Sequence, residues 1–363
     1  MKKIFFHLKK LDWPMVFTVF LLVGLGFLLL YSSSRGNFLN LKKQVFFFFF
    51  GFFLMLLFSF IDWRPLKEST YFLLFFYLLS LFLLFGLFFF APSIRGTKSW
   101  YKIGFFSFDP TELTKIVLLF FLAKYFSSRH VEMYRLKHIL ISGFYVSLPC
   151  LLIFFQPNLG SVLILLVLWL GILFLSGIKL RHFFLLIFVF LLIFLIGWKS
   201  FLKEYQKERI LSFLSPKISD PFKVGWSQRQ TKIGIDSGGI FGQGIKKGSQ
   251  TQLGFLPEPQ TDFIFSVLAE ETGLFGVFLF LLLFLFLVWR ILKIALESKS
   301  NFPRLFCGGF AILLVSQTFI HLGMNLGLLP IVGIPLPFLS YGGSGLIFNL
   351  LGLGIIQSFK VYR

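Results

Sequence analysis

Asp262 stands where a polar loop turns into an apolar run, within SQTQLGFLPEPQTDFIFSVLAEETGLFG at residues 249–276. Pro257 and Pro259 stiffen the approach, Thr261 and Asp262 occupy the last polar positions, and Glu270 and Glu271 follow about two helical turns deeper. A carboxylate at such a boundary can reach a lipid-borne head group. It can equally cap the helix that follows, because an acid at a helix N-terminus is favoured by the dipole. Glu270 and Glu271 pose a different question, since carboxylates within an apolar run are unfavourable unless paired or facing a polar cavity. An ion pair with Lys115 would meet that need without chemistry.

A second polar cluster is DPTE at 109–112. Asp109 suits an N-cap, Pro110 the first helical position and Glu112 the closing residue of a capping box. Lys115 lies three residues beyond Glu112, on the same helix face, so the two can form a buried ion pair or line a polar site. QPNLGS at 156–161 reads as a tight polar turn between two spans, and PIVGIPLPFLSYGGSG at 330–345 as irregular backbone that can line a cavity at membrane depth. QTKIGIDSGGIFGQGIKKG at 230–248 offers glycines for close backbone approach and positive charge at Lys246 and Lys247. It follows no strand of a βαβ unit, which argues against a nucleotide cradle. His321 is a lone histidine in an apolar run and reads as a hydrogen-bonded core residue.

The elements that must position these groups are membrane helices. Mean hydropathy is +0.86 and 57% of the 363 residues are hydrophobic, far outside the range of soluble domains. Apolar runs near 12–31, 44–61, 71–91, 111–127, 138–155, 159–177, 182–200, 263–289, 305–325 and 341–358 are long enough to cross a ~30 Å hydrocarbon layer. The expectation is an all-α polytopic membrane protein with about ten transmembrane helices, one integral-membrane domain over 1–363. The first run is longer than a signal-peptide core and lacks a cleavage pattern, so it reads as a retained span. Phe is abundant at 57 residues, spread through the spans. Cys150 and Cys307 lie in apolar segments and support neither a disulfide framework nor a cysteine metal site.

The net charge of +20 would suggest nucleic acid in a soluble chain, but here Lys and Arg flank apolar runs, so no nucleic-acid partner is expected. Counting alternate short connections puts 18 Lys and Arg on one side and 6 on the other. Both termini are thereby expected in the cytoplasm. The large loop at 199–262, which holds 10 of the 35 basic residues, is then extracytoplasmic and able to meet anionic membrane lipids.

These motifs in this order resemble the SEDS family (shape, elongation, division and sporulation) of bacterial cell-wall polymerases. The residues that carry the resemblance are LDWPMVFTVFLLVGLGFLLLYSSS, RGTKSWYKIGFFSFDPTELTKI, QPNLGS, YQKERILSFLSPKISDP, GWSQRQTKIGIDSGGIFGQG, GSQTQLGFLPEPQTDFIFSVLAEETGLFG and GIPLPFLSYGGSG. They span nearly the whole chain, and the length and LDWP opening point to the elongation type. The resemblance implies a peptidoglycan glycosyltransferase of the cytoplasmic (inner) membrane that polymerises lipid II, an undecaprenyl-pyrophosphate-linked disaccharide pentapeptide, at the outer face. It places the essential aspartate at Asp262, as general base, and the buried pair of the fourth span at Glu112 and Lys115. Arg229, Lys232, Lys246 and Lys247 are expected at the pyrophosphate, where a divalent cation (Mg or Mn) has a place. Glu258, Thr261, Glu270, Glu271 and Ser340 are expected in substrate binding or support. Implied partners are a class B penicillin-binding protein transpeptidase and elongation-complex scaffolds.

Four positions depart from the family pattern: Gln260 stands for His, Asn158 for Asp, Asp109 for Gln and Asp236 for Gly. An amide exchanges no proton near neutral pH, so 260 and 158 are assigned no acid/base role. Two alternatives from other classes remain at this point. One is a flippase or transporter for lipid II, with Glu112, Lys115, Glu270 and Glu271 lining its path; the other is a non-catalytic activator of the crosslinking partner.

Overall fold

The computed structural model describes residues 2–63, 70–92, 97–104, 106–128, 136–200, 207 and 224–362. Outside these residues lie YQKERILSFLSPKISDP apart from Lys207, and Arg64, Lys67, Arg95, Arg129, Arg135 and Arg363 of the charge count.

Each of the ten apolar runs forms one helix. In chain order, after a short α1 (Lys2–Lys10), they are α2 (Trp13–Ser33), α3 (Leu39–Ser59), α4 (Thr70–Phe90), α5 (Pro110–Ser127), α6 (Leu136–Phe155), α7 (Leu159–Leu175) and α8 (Leu180–Ser200). The polar loop contributes α9 (Val224–Gly238) and α10 (Ser249–Leu253), and the last three spans are α11 (Ile264–Glu297), α12 (Asn301–Leu326) and α13 (Gly343–Val361). Among the described residues, 7 helices are long and apolar enough to cross a membrane by length and composition alone. Of the other three runs, α5 carries Glu112, Lys115 and Lys124, while α7 and α8 count as shorter apolar helices. The helical expectation needs one addition, a small antiparallel hairpin of β1 (Tyr101–Ile103) and β2 (Phe106–Phe108), paired Tyr101 with Phe108.

Local chemistry sets several helix starts. Asp12 caps α2 by accepting from the Met15 N–H at 3.1 Å, with Pro14 in the first turn. Asn158 caps α7 through the Ser161 N–H at 3.2 Å, which gives the amide at that position a structural role. Asp12 also ties the ends of three spans together: Arg290 of α11 and Lys360 of α13 both bond its carboxylate, and its N–H donates to Gln357 Oε1 at 2.8 Å.

Helix α13 packs along α3, and α11 lies between α2, α9 and α12. One cluster of buried apolar side chains runs through the bundle from Met15 to Phe359. At 34 residues α11 is about 51 Å long at 1.5 Å per residue, well beyond a ~30 Å hydrocarbon layer. Gly273 breaks it, with φ 65° and ψ −165°, so its first nine residues form a separate N-terminal piece.

Candidate active site

Gln260, Thr261 and Asp262 form a short irregular segment whose three consecutive carbonyls each accept a hydrogen bond. Tyr341 N–H donates to Gln260 O at 2.8 Å, Ser340 Oγ to Thr261 O at 2.7 Å, and Asn325 Nδ2 to Asp262 O at 3.0 Å. Asn40 Nδ2 of α3 also donates to Gln260 Oε1 at 2.6 Å. A loop residue is thus fixed from α3, α12 and the 330–345 segment at once. Asp262 itself is half-buried, and a Cβ on Gly333 would lie 3.8 Å from its Oδ2. Helix α11 begins at Ile264 with Phe263 in the N-cap position, where it makes no side-chain capping bond, so Asp262 stands one residue before the cap.

Asn325 is the buried hub beneath this segment. Besides Asp262 O it donates to His321 O at 2.8 Å, and its Oδ1 accepts from Ser266 Oγ at 2.8 Å. His321 donates from Nδ1–H to Ile334 O at 2.8 Å, as expected of a core histidine. The sequence reading did not select Asn325, Asn40 or Tyr341. Its available signal was the polar pair His321 and Asn325, spaced one turn apart in an otherwise apolar helix.

Glu112 and Lys115 form the expected buried ion pair, Nζ to Oε1 at 2.7 Å. Asp109 caps α5 by accepting from Thr111 N–H at 2.8 Å and Thr111 Oγ1 at 2.6 Å. The reciprocal arm of a capping box is missing: Asp109 N–H donates to Ser344 Oγ at 2.9 Å, while Glu112 turns to Lys115. Burial, and then the Glu112 charge, push Asp109 up to about 6. The 330–345 segment therefore touches both polar clusters, with Gly333 beside Asp262 and Gly345 beside Glu112.

Glu270 and Glu271 are fully buried, yet Lys115 is not their partner. Glu270 accepts from Gln250 N–H at 2.6 Å, Thr251 N–H at 3.1 Å, Thr251 Oγ1 at 2.6 Å and Ser249 Oγ at 3.3 Å, clasping the start of α10. Glu271 accepts from Ser32 Oγ of α2 and from Gln252 Nε2 at 3.4 Å, leaving Oε2 buried without a partner. Both residues thus bind the polar loop to the N-terminal piece of α11.

The four basic candidates separate into two places. Lys232 lies against Gly327 at the end of α12, and Arg229 is exposed on the same α9. Lys246 sits 3.8 Å over the Tyr31 ring at the end of α2, with Lys247 exposed beside it. Glu258 is half-buried with φ 48°, at the turn that brings the chain back to Gln260. Among the described residues no three His, Cys, Asp or Glu side chains gather as metal ligands.

A family model described as cell cycle protein, for FtsW, RodA and SpoVE, matches residues 13–363. The chain belongs to this family. Peptidoglycan glycosyltransferase MrdB of Escherichia coli (strain K12) is 34% identical over 362 residues, covering 100% of this chain and 96% of the relative. Stage V sporulation protein E of Bacillus subtilis is 33% identical over 369 residues, with 97% of each chain covered. A solved chain described as part of a peptidoglycan synthase complex that coordinates polymerization and crosslinking superposes with TM-score 0.81 at 34% identity, covering 96% of this chain and 97% of that one. Rod shape determining protein RodA of Thermus thermophilus gives TM-score 0.72 at 30% identity, with 96% of each covered. The resemblance read from the motifs is thereby borne out, and the fold of this family member is that of RodA.

Proposed function

We propose that this family member is a peptidoglycan glycosyltransferase that polymerises lipid II at the outer face of the cytoplasmic membrane, with both termini inside. The observation that carries the reading is the clamped Gln260–Asp262 segment. A loop carboxylate stands in a segment whose three consecutive main-chain carbonyls are each hydrogen-bonded, beside the 330–345 segment. Relatives that match over the full length are named peptidoglycan glycosyltransferases.

In the proposed reaction the C4 hydroxyl of an acceptor GlcNAc attacks C1 of a donor MurNAc. The hydroxyl proton passes to the Asp262 carboxylate, the new C–O bond forms as the C1–O bond to the pyrophosphate breaks, and undecaprenyl pyrophosphate leaves with the electron pair. A base so placed contributes roughly 10²–10⁴-fold. Pyrophosphate departs without protonation, so no second carboxylate is needed and C1 inverts, unlike the paired-carboxylate glycosidases. Arg229 and Lys232, or Lys246 and Lys247, supply positive charge to the leaving group. A divalent cation belongs to this reading only as a companion of the pyrophosphate. A class B penicillin-binding protein takes the strand for crosslinking, within an elongation complex.

The transporter alternative asks Glu112, Lys115, Glu270 and Glu271 to line one path. Their hydrogen bonds argue against it, since the first two pair with each other and the last two bind the outer loop. The test uses purified full-length protein, its crosslinking partner and lipid II, read as glycan strands on a gel. Asp262→Asn should retain partner binding and form no strands. Normal strand formation by that variant would sink the assignment, and lipid II flux across vesicles without strand formation would favour transport.

A further inference from the structure

The 239–247 segment belongs to a polar loop, yet its tip is apolar and open. Ile240 is 63% exposed and Phe241 82%, and Ile245 is exposed as well. This tip does not project freely. At the break in α11 the helix loses part of its own hydrogen bonding, and the loop replaces it. Gln243 and Gly244 N–H donate to Glu270 O and Glu271 O at 2.9 and 3.0 Å, while Leu274 and Phe275 N–H donate to Gly239 O and Ile240 O at 3.0 and 3.1 Å. Gly238 and Gly242 allow this approach, as a Cβ on either would overlap the carbonyls of Ala269 or Glu271. Ile240 and Phe241 are therefore held level with the first residues of the apolar part of α11.

Those residues face lipid. Leu274 is 64% exposed, Phe275 65% and Phe278 65%, along a run that continues through GVFLFLLLFLFLVW. The exposed face of the tip is continuous with this lipid-facing stripe, and Lys246 and Lys247 follow at the position where cations meet lipid phosphates. Exposed apolar side chains beside Lys, fixed at the end of a spanning segment, are the pattern of an interfacial anchor.

We propose that residues 239–247 are a membrane anchor: Ile240 and Phe241 insert into the outer acyl–headgroup boundary of the bilayer, with Lys247 at the phosphates. The lipid surface is the occupant because the patch extends an existing lipid-facing surface. The anchor sets the depth of the outer loop, and through the Glu270 clasp on α10 it sets the height of the chain that leads to Asp262. The proposal stands independently of the glycosyltransferase reading.

The test places a nitroxide on Phe241→Cys, Phe275→Cys or Asp236→Cys in the full chain in lipid nanodiscs. Cys150 and Cys307 are buried, and the parent chain reports any labelling there. The label at 241 should lie about 5–10 Å below the phosphates, more accessible to oxygen than to a water-soluble nickel chelate, as at 275. The exposed Asp236 position should report water. Nickel access at 241 equal to that at 236 overturns the proposal, and shielding that occurs only when a second protein is added overturns it in favour of protein docking. In the otherwise native chain, Ile240→Ser with Phe241→Ser should speed hydrogen exchange at Gln243 and Gly244 in nanodiscs. Unchanged exchange there also overturns it.

Discussion

Asn325→Asp removes the hub beneath the Gln260–Asp262 segment while conserving its volume. The wild-type amide donates to Asp262 O at 3.0 Å and His321 O at 2.8 Å and accepts from Ser266 Oγ at 2.8 Å. A carboxylate keeps the acceptor for Ser266 but turns oxygen toward two carbonyls. Asn325→Leu goes further, leaving Asp262 O and Ser266 Oγ buried without these partners, at about 1–3 kcal/mol each. Leu should therefore destabilise by about 2–6 kcal/mol, read as thermal unfolding in detergent. The aspartate variant isolates positioning from packing. A displacement of about 1 Å at a reacting group lowers rate by roughly 10²-fold. The strand-forming rate from lipid II should fall by that order in kcat, with KM little changed, because the amide touches no substrate. A folded Asn325→Asp protein that forms strands at the parent rate would refute the reasoning, since Asp262 would then hold its place without Asn325.

Breaking the Glu112–Lys115 pair from one side strands a buried charge, so Glu112→Gln or Lys115→Met should each cost about 3–5 kcal/mol of stability, while the double variant recovers much of the loss in a melting experiment. Additive losses would mean that the pair does not act as one unit. For Asp109 the sign follows from its folded value of about 6, raised above that of the unfolded chain. The stability it contributes is full below about pH 4 and is lost as pH rises through about 6. Asp109→Asn should thus gain in melting temperature over the parent between about pH 4 and about pH 6 and hold that gain above. A difference that stays constant over that range would contradict the raised value.

The helices were legible in the sequence because each apolar run is long enough to span and must satisfy its own backbone. The Glu112–Lys115 pair was legible for a related reason: residues three apart on a helix share a face. What escaped the sequence lies in contacts between distant segments. Glu271 bonds Ser32, 239 positions away, and nothing local to AEETG marks that partner. The break at Gly273 was hidden because GLFG continues the apolar run without a proline, and the loop that repairs it looks polar and flexible in composition. Asp262 stands two residues before the first helical residue, Ile264, because the polar-to-apolar switch runs slightly ahead of the helix start. The capping box failed at one arm because Lys115 offers Glu112 a full positive charge, a stronger partner than a backbone N–H.

The same contacts explain how a loop can carry precise chemistry. Side chains on loops are ordinarily less well placed than those on helices, and a general base misplaced by an ångström loses most of its effect. Here the carbonyls on both sides of the Thr261–Asp262 peptide, and the one before, are bonded to residues of α12 and the 340–341 turn, while Gln260 is held from α3. The loop's other end is clasped by Glu270 on the N-terminal piece of α11. The carboxylate therefore inherits the rigidity of the bundle without occupying a helix itself. That fixed placement is what the proposed reaction requires of a general base.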